Sequence, residues 1–583
     1  MKPRATNTIR FITGLMIILF LLTSCLGQAE TLPSHSSTVT PATEPAGETG
    51  TEAPAKTPSM TNTPPPPSLF LSDELPEGIV DRTALAPFPL SDDPGTTLWF
   101  GPTAEAPVGE ELQSSLWVYA LAAPFPTLTD AVTLSDLQTF WQGNPEGALA
   151  SVKTLYIPET VASNWQGRWG EPAIPTIVIS DDLPAADTLW AENAWAVLPF
   201  EALTPKLKVI QVDGISPLIK DFSNDDYPLI FEFQLILNEN SQQTLTETDR
   251  QSLINAFTPT NRDPEKMTTL VMTGVTALVR ATAYRMEING VLYPGEEIVD
   301  WLSEANLTHI SNEVSFYEDC PFPNPHSRLL FFCSNPEYIE LFDYVGADII
   351  ELTGNHNNDS LFVYGVDVVP FTLDLYQQRG MVYYGGGLDL ADAMSPLLVT
   401  HNGNRLAFIG CNASGPDYAW ATETQSGAAP CGDYQWMADE ISRLRSEGYL
   451  PIATYQFYED YYNFAEEHHI RDFGLMAEAG AVIVNGSQAH RPKGMAFEHD
   501  AFIDYGLGNL FFDQMGYTDM YGNNLVQVRW EIIQRHTFYD GKHLSTELLT
   551  AMLEDYAQPR PMTDKERLLF LEELFTASGW NSR

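Results

Sequence analysis

Basic side chains are scarce in this chain. Its 583 residues hold 30 Lys and Arg against 77 Asp and Glu, a formal net charge of −47, although only 18% of residues are charged. Nucleic-acid affinity rests on Lys and Arg neutralising phosphates, so no nucleic-acid partner is expected. The same shortage argues against adhesion to anionic lipid through a basic surface. An acidic exterior kept soluble by self-repulsion fits it. Long apolar runs are missing after residue 25, and a membrane-spanning helix needs about 20 such residues. Cysteine is sparse, five in all, and no CxxC spacing occurs, which argues against a zinc cluster.

What is present begins at the N-terminus. Lys2, Arg4 and Arg10 precede a short apolar run, Phe11 to Leu22, which suits the core of a secretory signal over residues 1–24. The run ends in Leu22-Thr23-Ser24-Cys25, which resembles a bacterial lipobox. That resemblance implies a lipid on Cys25, a membrane partner through that lipid, and a place on the outer face of the cytoplasmic membrane or the cell surface. Residues 31–68 supply 23 Ser, Thr or Pro out of 38 and no aromatic residue. Such a segment buries too little apolar surface to offset its ordering entropy, so 25–69 reads as a solvated tether. Cys320, Cys333, Cys411 and Cys431 remain, with three formal connectivities. The sequence-local pairs Cys320–Cys333 and Cys411–Cys431 are expected, in keeping with an oxidising compartment.

Beyond the tether, about 515 residues suffice for two or three domains. Over 70–265 short apolar runs alternate with a helical stretch opened by Thr133 and Asp136, an α/β pattern. Trp195–Phe200 followed by Leu207–Pro217 resembles the closing segments of type II periplasmic solute-binding domains, so a solute-binding role for 70–265 is one functional reading. From 266 to 535 helices stop at Gly346, Gly380, Gly448 and Gly480, and a strand follows each. This predicts a layered α/β domain. The remainder, 536–583, is expected as a helical tail with helices over Leu544–Ala557 and Thr563–Ala577.

In open α/β sheets, ligands collect where loops leave the carboxyl ends of strands. Here those loops are polar: Ser311-Asn312-Glu313, Gly354-Asn355-His356 with Asp359, Gln456, Gly486-Ser487-Gln488-Ala489-His490, and Tyr505-Gly506-Leu507-Gly508-Asn509. In this order and spacing they resemble the CapA family, the poly-gamma-glutamate capsule synthesis proteins. The resemblance implies a calcineurin-like metallophosphoesterase fold of αββα type and a role in making, exporting or attaching an extracellular polymer. It also implies polymer or polymer-synthesis machinery as partners. Three family positions depart from the pattern. Gly274-Val275 stands where the family has Gly-Asp, Gln456 where it has His, and Ser487-Gln488 inside its Gly-His-His-Pro-His element.

Valine cannot coordinate a metal, and neutral Gln and Ser are poor ligands for a transition metal. Three arrangements remain open. Glu313, Asn355 and His490 could hold one divalent metal, Mn or Zn, with His356 as general acid and Asp359 as a further candidate ligand. Without metal, Glu313 and His356 could form a catalytic acid/base pair. Or the crevice binds without chemistry, substrate meeting Asn312, Asn355, Gln456, Gln488 and Asn509. A metal-dependent hydrolase of phosphoesters, amides or glycans is therefore the alternative to a polymer-handling protein. Phe457, Tyr458, Tyr461, Tyr462 and Phe464 could form an aromatic wall for a sugar or extended polymer, or pack beneath a loop. His468 and His469 are expected to face solvent, and His401 and His499 to be structural or solvated.

Overall fold

The computed structural model describes residues 66–174, 176–241 and 245–581. The signal segment, Cys25 and nearly all of the tether lie outside the described residues. The folded chain is anchored from Leu69, whose side chain is fully buried and whose strand, Leu69–Leu71, pairs with Leu98–Pro102.

The N-terminal lobe is organised by one long strand, Gly109–Pro124. Its first half pairs antiparallel with Ile230–Asn238. Its second half pairs with Trp195–Pro199 and Leu207–Val212. One strand thus serves two halves of a nine-stranded sheet. The helix Leu134–Trp141 starts where Thr133 and Asp136 suggested. The Thr133 hydroxyl accepts from the Asp136 N–H at 3.1 Å, and the Asp136 carboxylate accepts from the Thr133 N–H at 2.7 Å.

The C-terminal part is a sandwich of two sheets. The first runs in the order Val382–Tyr384, Ile349–Glu351, Leu307–Asn312, Met267–Thr276, Trp530–Tyr539, Lys542–Glu554 and Gln558–Pro561. The second runs Leu397–His401, Asn404–Asn412, Leu450–Asp460, Ile483–Ala489, Ala501–Asp504 and Met495–Glu498. Leu270, Met272 and Ile349 of one sheet meet Phe408, Ile452 and Ile483 of the other in the buried layer between them. Helices cover both outer faces, through Met286, Phe342 and Leu373 on one side and Met437, Ile441 and Phe473 on the other. This is the expected αββα layering. Four of the covering helices end at Gly346, Gly380, Gly448 and Gly480, with φ of 73°, 78°, 84° and 109°. That left-handed region costs glycine least.

The C-terminal segment departs from expectation. Residues 544–557 are not a helix. Lys542–Glu554 is a strand paired along its length with Trp530–Tyr539, and both belong to the first sheet. The sandwich therefore does not end at 535. Leu544, Thr546, Leu548, Thr550 and Met552 recur at every second residue, the period of a strand, and long-range pairing takes advantage of it. The last helix, Asp564–Ala577, forms as expected behind a Thr563–Glu566 capping box.

Both expected disulfides are formed, Cys320–Cys333 and Cys411–Cys431. The lobes join where Phe125 and Trp190 pack on Phe497 and Trp580. There Asp130 accepts from Lys208 at 2.7 Å and from both arms of Arg567 at 2.7 and 2.8 Å.

Candidate functional site

The carboxyl ends of the parallel strands in both sheets converge on one polar crevice whose floor is buried, Gln456 at 1% and Gln488 at 2% exposure, with Asn355 and His356 half-buried at its rim. Glu313 follows the strand Leu307–Asn312 and is 2% exposed. Its N–H donates to Thr276 O at 2.9 Å, which continues the pairing with the neighbouring strand. The loop carrying Asn355 and His356 crosses directly over it. A Cβ on Gly354 would lie 2.5 Å from Glu313 Cα, so only glycine lets these backbones approach.

Gln456 is the hub. Its amide nitrogen donates to Asn355 Oδ1 at 3.0 Å, to Gln488 Oε1, and at 3.5 Å to Glu313 Oε1. Its oxygen accepts from Ser487 Oγ at 2.9 Å. Gln488 holds φ of 78°, a left-handed conformation costly for a side-chain-bearing residue and concentrated at functional sites. On the far side His490 Nδ1 meets Asn509 Oδ1 at 2.8 Å, and Asn509 Nδ2 donates to Gln514 Oε1 at 3.3 Å. On the near side His356 Nδ1 meets Asp359 Oδ2 at 2.7 Å. Asp359 is fixed in turn by Tyr418 OH at 3.1 Å and the Phe332 N–H at 2.7 Å.

Electrostatics tie these groups together. Burial pushes the Glu313 carboxyl above its ordinary value, while His356 and His490 pull it back and Glu459 and Asp359 raise it further. Burial alone would lower His356. The hydrogen bond that His356 donates to Asp359 and the charge of Glu313 outweigh that and raise it. A carboxyl leaning towards its protonated form and an imidazole leaning towards its charged form therefore share one crevice, an arrangement suited to proton transfer.

The donors present do not fit a two-metal centre. Val275 occupies the family's carboxylate position and packs with Val314 and Phe512 in an apolar cluster. A Gln456 N–H₂ group points at the oxygens of Glu313 and Asn355, so a hydrogen-bond donor stands where a cation would have to sit. Among the described residues, the group in which three His, Cys, Asp or Glu ligand atoms come within 4.8 Å is Glu466, His468 and His469, outside this crevice.

The structure brings together Glu313, Asn355, Gln456 and Gln488 directly, with His356, His490 and Asn509 around them. Asn312 is not part of the crevice. Strand alternation turns it to the opposite face, where its amide donates to Val314 O at 2.8 Å and Tyr376 OH at 2.7 Å. His469 does not face solvent. It is 1% exposed, packs on Phe457 and has burial pushing it down to about 3. The expected aromatic wall divides: Phe457 is core, Tyr461 stacks on Tyr517, and Tyr458, Tyr462 and Phe464 are exposed. Ser487, Tyr418, Phe332 and Gln514 were not among the candidate site residues read from the sequence. Ser487 lies inside a quoted motif, but the other three come from loops without a motif.

Comparison with known proteins agrees with this region. Residues 269–514 match the family described as Bacterial capsule synthesis protein PGA_cap. The PGA biosynthesis protein CapA of Bacillus subtilis (strain 168) is 26% identical over 196 residues, 33% of this chain and 50% of that protein. The capsule biosynthesis protein CapA of Bacillus anthracis is 23% identical over 274 residues, 46% of this chain and 64% of that protein. The chain thus spans between 50% and 64% of the length of these relatives. Among solved structures, a 5'-nucleotidase precursor from Thermus thermophilus is similar at 14% identity and a TM-score of 0.27, covering 53% of this chain and 59% of its own. A phosphate ABC transporter substrate-binding protein from Clostridium perfringens is similar at 15% identity and a TM-score of 0.22, covering 27% and 72%. Scores this low carry no functional argument.

Proposed function

We propose that this chain, whose residues 269–514 match the capsule synthesis family, is a CapA-type protein that serves the synthesis, export or attachment of an extracellular polymer such as poly-gamma-glutamate or capsule. The carrying observation is the crevice centred on Gln456, where neutral amides replace metal ligands yet remain ordered around Glu313. Side chains arranged this way bind a polar chain segment by hydrogen bonds. The proposed address is outside the cytoplasmic membrane, held by a lipid on Cys25. The two disulfides are compatible with that address.

A second reading, metal-free acid/base chemistry on the bound polymer, is favoured by the His356–Asp359 contact of 2.7 Å beside the buried Glu313. In it water attacks the scissile bond and passes a proton to Glu313 in its ionised form, while His356 gives its proton to the leaving group.

Deletion of the gene followed by complementation tests both readings. Loss of surface polymer on deletion, restored by the wild type and not by Cys25→Ala, is the expected result. Unchanged polymer in the deletion strain refutes the proposed function. Full restoration by His356→Ala refutes the acid/base reading and leaves binding.

A further inference from the structure

Beside the crevice lies a feature that the polymer reading does not use. The loop closed by Cys320–Cys333 and the helix Asp359–Tyr364 present large apolar side chains to solvent: Phe331 is 42% and Phe362 61% exposed, with Leu329, Leu330 and Tyr364 also exposed. Patches of this kind mark interaction sites in soluble proteins. Three rings in it form a staggered row. Phe331 and Phe362 lie 5.2 Å apart with planes inclined by 20°, and Phe362 and Tyr418 lie 5.0 Å apart at 24°.

The row is wired to the crevice. Tyr418 OH donates to Asp359, the carboxylate that holds His356. Phe332, next to Phe331, has its ring 4.6 Å from His356. A ligand lying along the rings would reach the imidazole without leaving the surface.

The chemistry narrows the ligand. The guanidinium beside the patch, Arg280, is committed to both oxygens of Asp513. Arg328 on the loop is outnumbered by Glu318 and Asp319, which stand just before Cys320. The crevice adds Glu313, Glu459 and neutral amides. Such a surface repels a string of carboxylates or phosphates. Aromatic rings next to amide and carboxylate acceptors match a pyranose, whose C–H face lies on a ring while its hydroxyls bond outward. We propose that Phe331, Phe362 and Tyr418 form a stacking subsite for a neutral, hydroxyl-rich glycan whose chain continues into the crevice at His356. This rests on the polymer reading and specifies its substrate class.

Calorimetry on the full-length protein with cellohexaose, maltohexaose, chitohexaose and poly-gamma-glutamate tests it. At least one hexaose binds with Kd below about 1 mM. Phe362→Ala weakens that binding about tenfold, and Phe362→Trp restores it. Binding of none of the hexaoses, binding unaffected by Phe362→Ala, or tighter binding of poly-gamma-glutamate overturns the inference. So does co-sedimentation with phosphatidylglycerol–phosphatidylethanolamine vesicles that Phe362→Ala abolishes, which would make the patch a lipid contact. Surface polymer lost on gene deletion without hexaose binding sinks this inference alone. Hexaose binding with polymer unchanged on deletion sinks the polymer reading alone.

Discussion

At the lobe junction Asp130 faces two cations. Burial pushes its carboxyl up, but the hydrogen bond from Arg567 and the charges of Lys208 and Arg567 hold it well below the usual carboxylate range. Burial pulls the Lys208 ammonium down to about 8 despite Asp130. In the crevice Glu313 is buried more deeply, forms no ion pair with Lys or Arg among the described residues, and meets an amide N–H at 3.5 Å. Its carboxyl is pushed up instead. At the junction two cations hold Asp130 ionised, although Glu547, which lines the same cavity, keeps one buried carboxylate oxygen without a hydrogen-bond partner. In the crevice no such ion pair forms among the described residues, and neutral amides surround the carboxyl instead.

This contrast can be broken in four ways. The largest effect belongs to Val275→Asp. It buries a carboxylate among Val314, Phe332 and Phe512 and is expected to cost about 5 kcal/mol in urea unfolding. Recovery of that loss by millimolar Mn or Zn would show that the donors can still assemble a metal centre.

The next effect is a pH slope set by Asp504, at the end of a strand beneath the crevice. Burial pushes its carboxyl up to about 7, against hydrogen bonds from Gly506 and Gln534. A raised acid makes the folded state bind its proton more tightly. Its stabilising contribution is therefore full below the ordinary carboxylate range and lost as pH rises from about 4 to about 7. The expected loss is about 4 kcal/mol, absent in Asp504→Asn. An unchanged slope in that variant refutes the assignment. Asp130 acts with the opposite sign: its contribution is full above the ordinary range and lost as pH falls below it.

Arg567→Ala comes third. It removes two bonds to Asp130 and bonds to Leu548 O and Thr550 Oγ1. Asp130 is 45% exposed, so the loss is placed at about 2 kcal/mol, below the figure for a fully buried pair. A loss below the error of the melt would mean that the aromatic contacts and the Tyr539 bonds to Asn261 and Asp263 hold the lobes without this ion pair. His356→Ala should move the melting temperature least, by about 2 °C, while abolishing function if the site is catalytic. Failure to fold would assign His356 to the scaffold.

The sequence made some of this legible. Left-handed stops at four glycines follow from local backbone physics, and so do the Thr133 and Thr563 caps. These features need no knowledge of what lies across the molecule. Lys542–Glu554 was missed because its leucines suit either period, and the partner strand that decides between them is set by tertiary pairing. Asn312 and Glu313 are adjacent in sequence and face opposite ways, a distinction that becomes visible once the strand's register is known. The replacement of ligands at Val275 and Gln456 was readable from the motifs. The way Gln456 turns its amide towards three oxygens was not, because it depends on loops from both sheets.

Arg567 and Asp130 are 437 residues apart in the chain. The contact cannot form until the last described helix has been synthesised, later than the bond of Tyr539 to Asn261 that also joins the lobes. Closing a loop that long costs entropy that grows only slowly with its length. The delay is therefore one of timing more than of stability. A product cut short before residue 564 would lose Arg567, Phe575 and Trp580 from this junction, and of their ring contacts across it Phe125 and Trp190 would keep those with Phe497 and, for Phe125, Phe502.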